Sequence, residues 1–302
     1  MKAPAVVFIF GPTGVGKTEL AVQAADGIGE IESVDSMQVY RELDLGTAKP
    51  SPEQRDRVPH HLVDVVRPAR RFSAGDFKRM ALRAVERIAG RGKVPVLVGG
   101  TGLYFRALEY NLPNAPPADA RLRDELYRRE EAEPGVLHRT LQSMDPETAR
   151  TLHPRDLVRL VRAIEIQRLS GVRFSELARR APSKLVRPIK IGVILERERL
   201  YRRLELRCRR MIAAGLPAEV AELVRKGYRE DLPAMKGLGY SHFIQYFKGC
   251  RGREEIERLF ARDTRRYAKR QLTWFRKEQG VRWLGPDQTE EARAVIRSVY
   301  QG

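Results

Sequence analysis

The most constraining feature of the sequence lies at residues 6–18, which contain the pattern G-x-x-x-x-G-K-[S/T]. Five apolar residues run into Gly11, as in a buried parallel strand, and helix-forming residues follow Thr18. Between a strand and a helix, this pattern is a phosphate-binding loop, whose backbone N–H groups surround an anion at a helix N-terminus. The chain is therefore predicted to be an α/β protein with a P-loop NTPase-like parallel sheet flanked by helices.

The motif predicts a phosphate site but does not identify the phosphates. Lys17 adds a mobile positive charge, and the hydroxyl of Thr18 suits a Mg²⁺ ligand. Kinases, ATPases and enzymes whose substrate carries a diphosphate all use such loops. A later apolar segment ends in Gly99-Gly100-Thr101, where many phosphate-loop ATPases place an acidic residue that holds the metal. Because no acidic residue stands at this position, the interpretation of the chain as an ATP-hydrolysing enzyme is weakened.

The pattern of apolar residues along the chain predicts an α/β core and an inserted helical lobe. Further buried strands are predicted at residues 30–34, 60–64, 93–98 and 188–195. Ser73 is predicted to begin a helix that ends near Gly90. From Pro113 onward, the sequence has a helical pattern rich in Arg, Glu and Leu, without a strand candidate. Residues 113–187 are therefore predicted to be an inserted helical lobe, and residues 1–112 with 188–302 the α/β core. Helices are predicted to dominate the C-terminal region, with residues 262–277 as the last.

The charge of the chain is strongly positive and uneven. Of the formal net charge of +18, residues 1–112 carry +3, residues 113–186 carry +3 and residues 187–302 carry +12. The segment at 262–277 holds seven basic residues and one acid, interleaved with Tyr267, Trp274 and Phe275. Such a helix can follow a phosphate backbone and stack on unpaired bases, or its aromatic stripe can be core and its basic side merely solvated. The charge favours a polyanionic partner, and an Arg-rich proteome is the alternative explanation.

Other residue patterns bound the function. Cys208 and Cys250 lie far apart and form no zinc or disulfide pattern, which favours a reducing cytoplasm. The adjacent His60 and His61 have no third metal ligand at a suitable spacing, so a structural role is favoured. No apolar run approaches eighteen residues, so no membrane association is expected.

Several segments, taken together, resemble the bacterial tRNA dimethylallyltransferase family over nearly the full length. They are the phosphate loop, Asp35-Ser36-Met37-Gln38-Val39-Tyr40-Arg41, Gly46-Thr47-Ala48-Lys49-Pro50, His60-His61-Leu62, Gly99-Gly100-Thr101-Gly102-Leu103-Tyr104 and Arg270-Gln271-Leu272-Thr273-Trp274. The resemblance implies transfer of a dimethylallyl group from dimethylallyl diphosphate to the exocyclic amine of the adenosine 3′ to the anticodon. It further implies tRNAs that read codons beginning with U, a Mg²⁺ cofactor, a monomer without an obligate protein partner, and a channel where the two substrates meet.

The resemblance also implies roles for individual residues. Asp35 matches the general base, with a Mg²⁺-proximal or helix-capping carboxylate as the alternative. Arg207 matches a lid arginine that binds the diphosphate together with the loop, and Thr101 is a catalytic candidate whose alternative is to stabilise its turn. The predicted diphosphate ligands are Gly11, Pro12, Thr13, Gly14, Val15, Gly16, Lys17, Thr18 and Arg207, with Lys17 and Thr18 also catalytic and Thr18 the Mg²⁺ ligand.

An adenine must leave its stack to reach a buried carboxylate, so the base is expected to be extruded into the channel. The tRNA contacts implied by the resemblance are Asp35, Ser36, Met37, Gln38, Thr101, Arg121, Val158, Arg159, Leu160, Val161, Arg162, Gly237, Gly239, Tyr240, Lys269, Arg270, Gln271, Thr273, Trp274 and Arg276. Two features depart from the family pattern: Val15 replaces a small polar residue, and no zinc-finger tail follows. The basic C-terminal third is therefore expected to provide the main contacts with tRNA.

Three alternatives remain open at this point. An adenylate isopentenyltransferase would share the loop and the base, although a free nucleotide requires neither the helical lobe nor the excess of positive charge. A small-molecule kinase would bind ATP in the loop. A non-catalytic RNA-binding module would bind tRNA with a steep salt dependence and leave it unmodified.

Overall fold

The computed structural model describes residues 3–113, 115–180 and 184–301. The chain forms two compact units: one comprises the chain up to Glu109 and from Leu185 onward, and the other comprises Tyr110–Lys184. Met1, Lys2, Asn114, residues 181–183 and Gly302 belong to the predicted domains but lie outside the described residues.

The first unit is built on one six-stranded parallel sheet, which confirms the predicted fold class. Its strands are β1 (Ala5–Phe10), β2 (Gly29–Val34), β3 (His60–His61), β4 (Val94–Gly99), β5 (Arg187–Val193) and β6 (Val281–Leu284). The strand order is β3-β2-β4-β1-β5-β6. Phe10 pairs with Gly99 of β4, and Gly99 pairs with Val34 of β2. Strands β1, β2 and β4 therefore end side by side, and the loops that follow them meet at one edge of the sheet.

The helices occur in chain order as follows. They are α1 (Lys17–Ala25), α2 (Pro52–Arg57), α3 (Ala74–Gly90), α4 (Gly102–Glu109), α5 (Ala120–Ala132), α6 (Val136–Met144), α7 (Pro146–Thr151), α8 (Leu157–Ser170), α9 (Phe174–Arg180), α10 (Arg197–Ala213), α11 (Leu216–Arg225), α12 (Tyr240–Phe247), α13 (Arg253–Phe275) and α14 (Thr289–Tyr300). A short 3₁₀ helix, Pro233–Lys236, precedes α12.

The sheet is covered on both faces, as the apolar run in β1 predicts. Alternate residues of β1 point to opposite sides: Val7 and Ile9 pack with α1 and α14, whereas Phe8 and Phe10 pack with α3, α4 and the end of α13. The Phe10 ring stacks on Phe275 at 4.6 Å between centroids. The C-terminal helix α13 is thereby fixed against the strand that leads into the phosphate loop.

Several predicted elements are confirmed and others are corrected. Ser73 caps α3 through a reciprocal capping box with Asp76, as predicted. The third strand is shorter than predicted, because Leu62 and Asp64 have φ values of 61° and 59° and cannot continue it. Helix α13 begins at Arg253, nine residues earlier than predicted, and it is not the last helix because α14 follows.

Strand β6 was not predicted from the sequence. It has four residues, and it becomes a strand by pairing with β5, where Gly192 lies opposite Trp283. A Cβ at Gly192 would lie 2.5 Å from the Trp283 ring, so glycine provides the space for the indole. So short a segment has too little periodicity to predict a strand.

The predicted structural role of the histidine pair is confirmed. His61 Nε2 lies 2.7 Å from Oε2 of the buried Glu30, and His60 Nδ1 lies 2.7 Å from the carbonyl of Val58. Arg91 also donates to Glu30, whose pKa these donors lower against the opposing effect of burial. The pair thus ties the edge strand to the sheet.

Among its described residues, the second unit has helices α5 to α9 joined by loops, and no strand. Its core is aliphatic and centres on Leu126, Leu141 and Leu160. Two carboxylates are buried in the described part of this unit. Asp145 accepts hydrogen bonds from the Thr148 hydroxyl and the N–H of Ser175, and Glu165 accepts them from Arg123 and Arg162. The buried charge of Glu165 is thus paired. That this unit binds tRNA stays a prediction.

Across the described residues, no helix is long and apolar enough to cross a bilayer. Cys208 is buried, Cys250 is exposed, and both are free thiols.

Candidate active site

The loops that follow β1, β2 and β4 enclose a cavity of about 970 Å³ together with α10 and α13. Lys17, Thr18, Asp35 and Arg207 all line it, although the first and last are 190 residues apart in the chain. The structure therefore brings together four of the five predicted catalytic residues in one cavity of the first unit.

The phosphate loop has the backbone that its glycines permit. Gly14 and Gly16 have φ values of 75° and 108°, in the left-handed region, and Gly16 directly precedes α1. A Cβ at Gly14 would lie 2.5 Å from Leu204 of α10, so the loop and that helix pack in direct contact. Val15, which departs from the family pattern, is fully buried and contributes its side chain to the core.

The electrostatics of Lys17 are those of a site prepared for an anion. Its Nζ donates to the carbonyl of Pro12 at 2.8 Å. The pKa of Lys17 is lowered to about 7, mainly by burial and also by the positive charge of Arg207, while Asp35 acts in the opposite direction. Burial also lowers the pKa of Arg207. Two buried cations that repel each other favour binding of a polyanion between them.

Helix α10 brings three basic side chains to the cavity, all from the basic run at residues 202–211. Arg203, Arg207 and Arg210 recur at spacings of four and three residues and all line the cavity. The guanidinium of Arg203 donates to the carbonyl of Val15 in the phosphate loop at 3.4 Å. The helical spacing is the signal that would have identified Arg203 and Arg210.

Asp35 lies at the carboxyl end of β2 with its carboxylate held in place. Its Oδ1 accepts the backbone N–H groups of Met37 at 2.8 Å and Gln38 at 3.3 Å. The Thr101 hydroxyl accepts the N–H of Ser36 at 3.1 Å, which joins the turn after β4 to the turn after β2. The turn-stabilising alternative for Thr101 is thus present in the structure, and its catalytic role stays a prediction.

Gln38 lines the cavity, but its amide is engaged within the protein. Its Oε1 accepts from Ser33 Oγ at 2.8 Å, and its Nε2 donates to the carbonyls of Thr47 and Ala48 at 3.3 and 3.0 Å. To read an adenine edge, this side chain would have to exchange one of these bonds.

Helix α13 has a buried side and a basic side, so each interpretation of its pattern describes one of them. Gln271 and Phe275 are buried, whereas the other side presents exposed residues, namely Lys269, Arg270, Thr273 and Arg276. Tyr267 lines the cavity, and Arg270 lies over its ring at 5.7 Å. A Cβ at Gly102 would lie 2.2 Å from Trp274 Nε1, so this indole packs directly on the turn after β4.

Some predicted tRNA contacts have side chains that are not at the surface. Leu160 and Val161 belong to the core of the second unit, so a contact there would have to come from Val158, which is 72% exposed, and Arg159. Arg162 is half-buried and donates to Glu165 and to the carbonyl of Pro116. Arg121 is exposed.

The segment before α12 shows a similar division. The Tyr240 side chain is fully buried and its hydroxyl donates to Glu219 at 2.6 Å, so it is a structural residue in this structure. Gly237 and Leu238 line the cavity, and a Cβ at Gly237 would lie 2.5 Å from Met37 Cε. Gly239, with a φ of 87°, begins α12. Glycine at position 237 therefore leaves room for the end of the Met37 side chain.

The donor set of the cavity suits a magnesium ion that arrives with phosphates. In the described ranges, no group of three His, Cys, Asp or Glu side chains could hold a metal alone. Thr18 and Asp35 nevertheless supply a hydroxyl and a carboxylate to the same cavity. Mg²⁺ prefers oxygen ligands and is usually bound by one or two protein groups plus substrate phosphates. These residues fit such an ion.

Comparisons with known proteins agree with this geometry. The family model described as IPP transferase matches residues 38–278. A relative from Halorhodospira halophila, named tRNA dimethylallyltransferase, is 49% identical over 100% of this chain and 98% of its own length. One of the same name from Desulforudis audaxviator is 46% identical over 99% and 98%.

The solved structures that this chain resembles are also of transferases that act on tRNA. The crystal structure of a tRNA isopentenylpyrophosphate transferase from Bacillus halodurans has a TM-score of 0.74 and 36% identity, covering 99% of this chain and 97% of that one. A eukaryotic dimethylallyltransferase acting on tRNA has a TM-score of 0.80 and 27% identity, covering 98% of this chain and 78% of that one.

Proposed function

The chain belongs to the IPP transferase family, and we propose that its cavity transfers a dimethylallyl group from dimethylallyl diphosphate to tRNA. The acceptor is the exocyclic amine of the adenosine 3′ to the anticodon, in tRNAs that read codons beginning with U. The observation that carries the proposal is that one cavity holds both an anion site, formed by the phosphate loop with Lys17 and Arg207, and a fixed carboxylate, Asp35.

The anion site assists departure of the diphosphate. When the allylic C–O bond breaks, its electron pair goes to the diphosphate and the allylic carbon becomes electron-deficient. Lys17 and Arg207, which line the cavity, stabilise the charge that grows on the leaving group, and the N-terminus of α1 at Lys17 favours an anion. Arg203 donates to the carbonyl of Val15 and so holds the loop in place.

Asp35 serves the acceptor. The exocyclic amine of adenine is a weak nucleophile because its lone pair is delocalised into the ring, so a base removes its proton as the C–N bond forms. The two N–H groups on Oδ1 fix the carboxylate plane, and Oδ2 takes the proton. The adenine enters extruded from the anticodon loop, and Tyr267 at the cavity wall offers it an aromatic face.

The hydroxyl of Thr18 would hold a Mg²⁺ ion that enters with the donor, whose phosphate oxygens would supply further ligands. When bound, this ion neutralises part of the charge on the diphosphate. In the first unit, the exposed basic side of α13 is proposed to contact the anticodon stem-loop. In the second unit, the exposed Arg121 and Arg159 are proposed tRNA contacts of their own. We further propose that the enzyme acts as a monomer in the cytoplasm, where its tRNA substrate is.

The test is incubation with unmodified anticodon stem-loop RNA, Mg²⁺ and labelled dimethylallyl diphosphate. We expect the label in the RNA, and none in a stem-loop whose target adenosine is replaced by guanosine. Parallel reactions contain AMP as acceptor or ATP labelled in its γ-phosphate. Label in AMP alone would indicate the adenylate enzyme, label transferred from ATP would indicate a kinase, and binding of RNA without transfer would indicate a binding module.

A further inference from the structure

Gln271, near the end of α13, joins two loops that are distant in sequence. It is 6% exposed and lines the cavity. Its Oε1 accepts the backbone N–H of Thr13 in the phosphate loop at 2.8 Å, and its Nε2 donates to the carbonyl of Gly100 at 2.9 Å. Both halves of the amide are therefore used, one on each loop.

The bond to Thr13 fixes one peptide plane of the phosphate loop. The N–H of Thr13 and the carbonyl of Pro12 belong to the same rigid peptide unit. That carbonyl accepts from Lys17 Nζ at 2.8 Å, while the N–H donates to Gln271. Rotation of the peptide would break both bonds together, so Gln271 determines the orientation of the group that holds the Lys17 ammonium.

The bond to Gly100 extends the connection to the carboxylate side of the cavity. Gly100 precedes Thr101, whose hydroxyl accepts the N–H of Ser36, and Ser36 follows Asp35. Gln271 is therefore a side-chain link between the loop predicted to hold the diphosphate and the turn that carries the base, in addition to the pairing of β1, β4 and β2. It constrains the position of the loops beyond the strand ends, on which alignment of the two substrates depends.

The local geometry is specific for this pair of residues. The φ of Gly100 is outside the left-handed region, so its backbone does not require glycine. A Cβ there would nevertheless lie 2.1 Å from Gln271 Nε2, too close for both atoms. An amide is also required, because the site needs an acceptor for an N–H and a donor for a carbonyl on one side chain.

We propose that Gln271 is a positioning residue of the reaction. It holds the phosphate loop in a fixed position relative to the turn that carries Asp35, and it does not contact tRNA. The proposal rests on the proposed transferase function. It gives the last turn of α13 a second role, since exposed residues of this turn belong to the proposed RNA surface while its buried residue orients the donor site.

The test is steady-state kinetics of Gln271→Met, which keeps the volume and removes both hydrogen bonds. We expect kcat/KM for dimethylallyl diphosphate to fall at least tenfold, with the dissociation constant for the stem-loop RNA within twofold of wild type. Calorimetry with magnesium pyrophosphate measures the donor site without chemistry, and its affinity should fall as well. Wild-type turnover in the same assay checks the transferase function separately.

A double-mutant cycle keeps the proposal testable through a second residue. Gly100→Ala alone should lower kcat/KM for the donor, since its Cβ displaces the amide. In a Gln271→Ala background the same change should cost less than twofold, because the clashing atom is gone and the next neighbour, the carbonyl of Gly11, lies 3.7 Å away.

Phe275→Leu is the control for packing. It loosens the same turn of α13 against Phe10 but leaves the hydrogen bonds of Gln271 to Thr13 and Gly100 intact. It should lower Tm and leave KM for the donor unchanged. The proposal is overturned if Gln271→Met weakens RNA binding instead of donor use, if it behaves as Phe275→Leu does, or if the cycle is additive.

Discussion

Lys17→Met is expected to make the ligand-free protein more stable while removing its use of the donor. In the folded protein the pKa of Lys17 is about 7, against a usual value of 10.5, because the ammonium is buried next to Arg207. A difference of this size corresponds to at most about 5 kcal/mol of free energy of unfolding. The cavity admits water, so we expect roughly half of that amount, about 2–3 kcal/mol, at pH 7.

The sign of the pH dependence follows from the two pKa values. Below pH 7 the ammonium is charged in both states, and the folded protein carries the full penalty. Between pH 7 and 10.5 the unfolded chain binds more protons at this position than the folded protein, so the stability of the wild type rises with pH. The advantage of Lys17→Met should therefore be largest at or below pH 7 and should vanish near pH 10.

The measurement is urea unfolding of both proteins at pH 7, 8, 9 and 10, followed by tryptophan fluorescence. Trp274 and Trp283 are the two tryptophans of the chain and both lie in the first unit, so the signal reports the unit that contains Lys17. Other titrating groups cancel in the difference between variant and wild type. Lys277→Met, which changes an exposed lysine after α13, is the matched control and should show no such trend.

Magnesium pyrophosphate should reverse the order of stability, since the ligand stabilises the wild type according to its affinity and Lys17→Met binds it weakly. The reasoning is refuted if the two proteins differ by less than about 0.5 kcal/mol at pH 7, the resolution of such a comparison. It also fails if their difference is the same at pH 7 and pH 10.

Asp35→Ala should retain RNA binding and lose at least about a hundredfold in kcat, since a general base acts mainly in the transition state; single-turnover labelling of the stem-loop checks this, and turnover at the normal rate would remove Asp35 as the base. Arg207→Ala should raise KM for the donor about tenfold or more while RNA affinity stays nearly intact, because the lost contact is with the diphosphate; an unchanged rate at every donor concentration would exclude it from the site. Gly192→Ala should destabilise the first unit by about 1–3 kcal/mol, because its Cβ would overlap the Trp283 ring; thermal unfolding measures the loss, and an unchanged Tm would contradict the close packing of β5 and β6.

The local sequence determined the elements whose cause is local. The phosphate loop, the capped start of α3 at Ser73 and the buried character of β1 follow from residue types within a few positions of one another. The motif also placed Lys17 and Thr18 at the start of a helix. The resemblance to a family then joined Asp35 and Arg207 to the same site, which residue patterns alone had not done.

The tertiary structure decided which face of each element is buried and against what. Helical spacing marks Leu160 and Gln271 as part of an amphipathic pattern, but only packing shows that the first is core and that the second reaches a loop 258 residues away. Strand β6 exists because β5 offers it an edge, and Arg203 matters because α10 lies against the phosphate loop. Periodicity in a sequence reports the environment of one segment, whereas a hydrogen bond or a close contact between distant segments depends on how the whole chain folds.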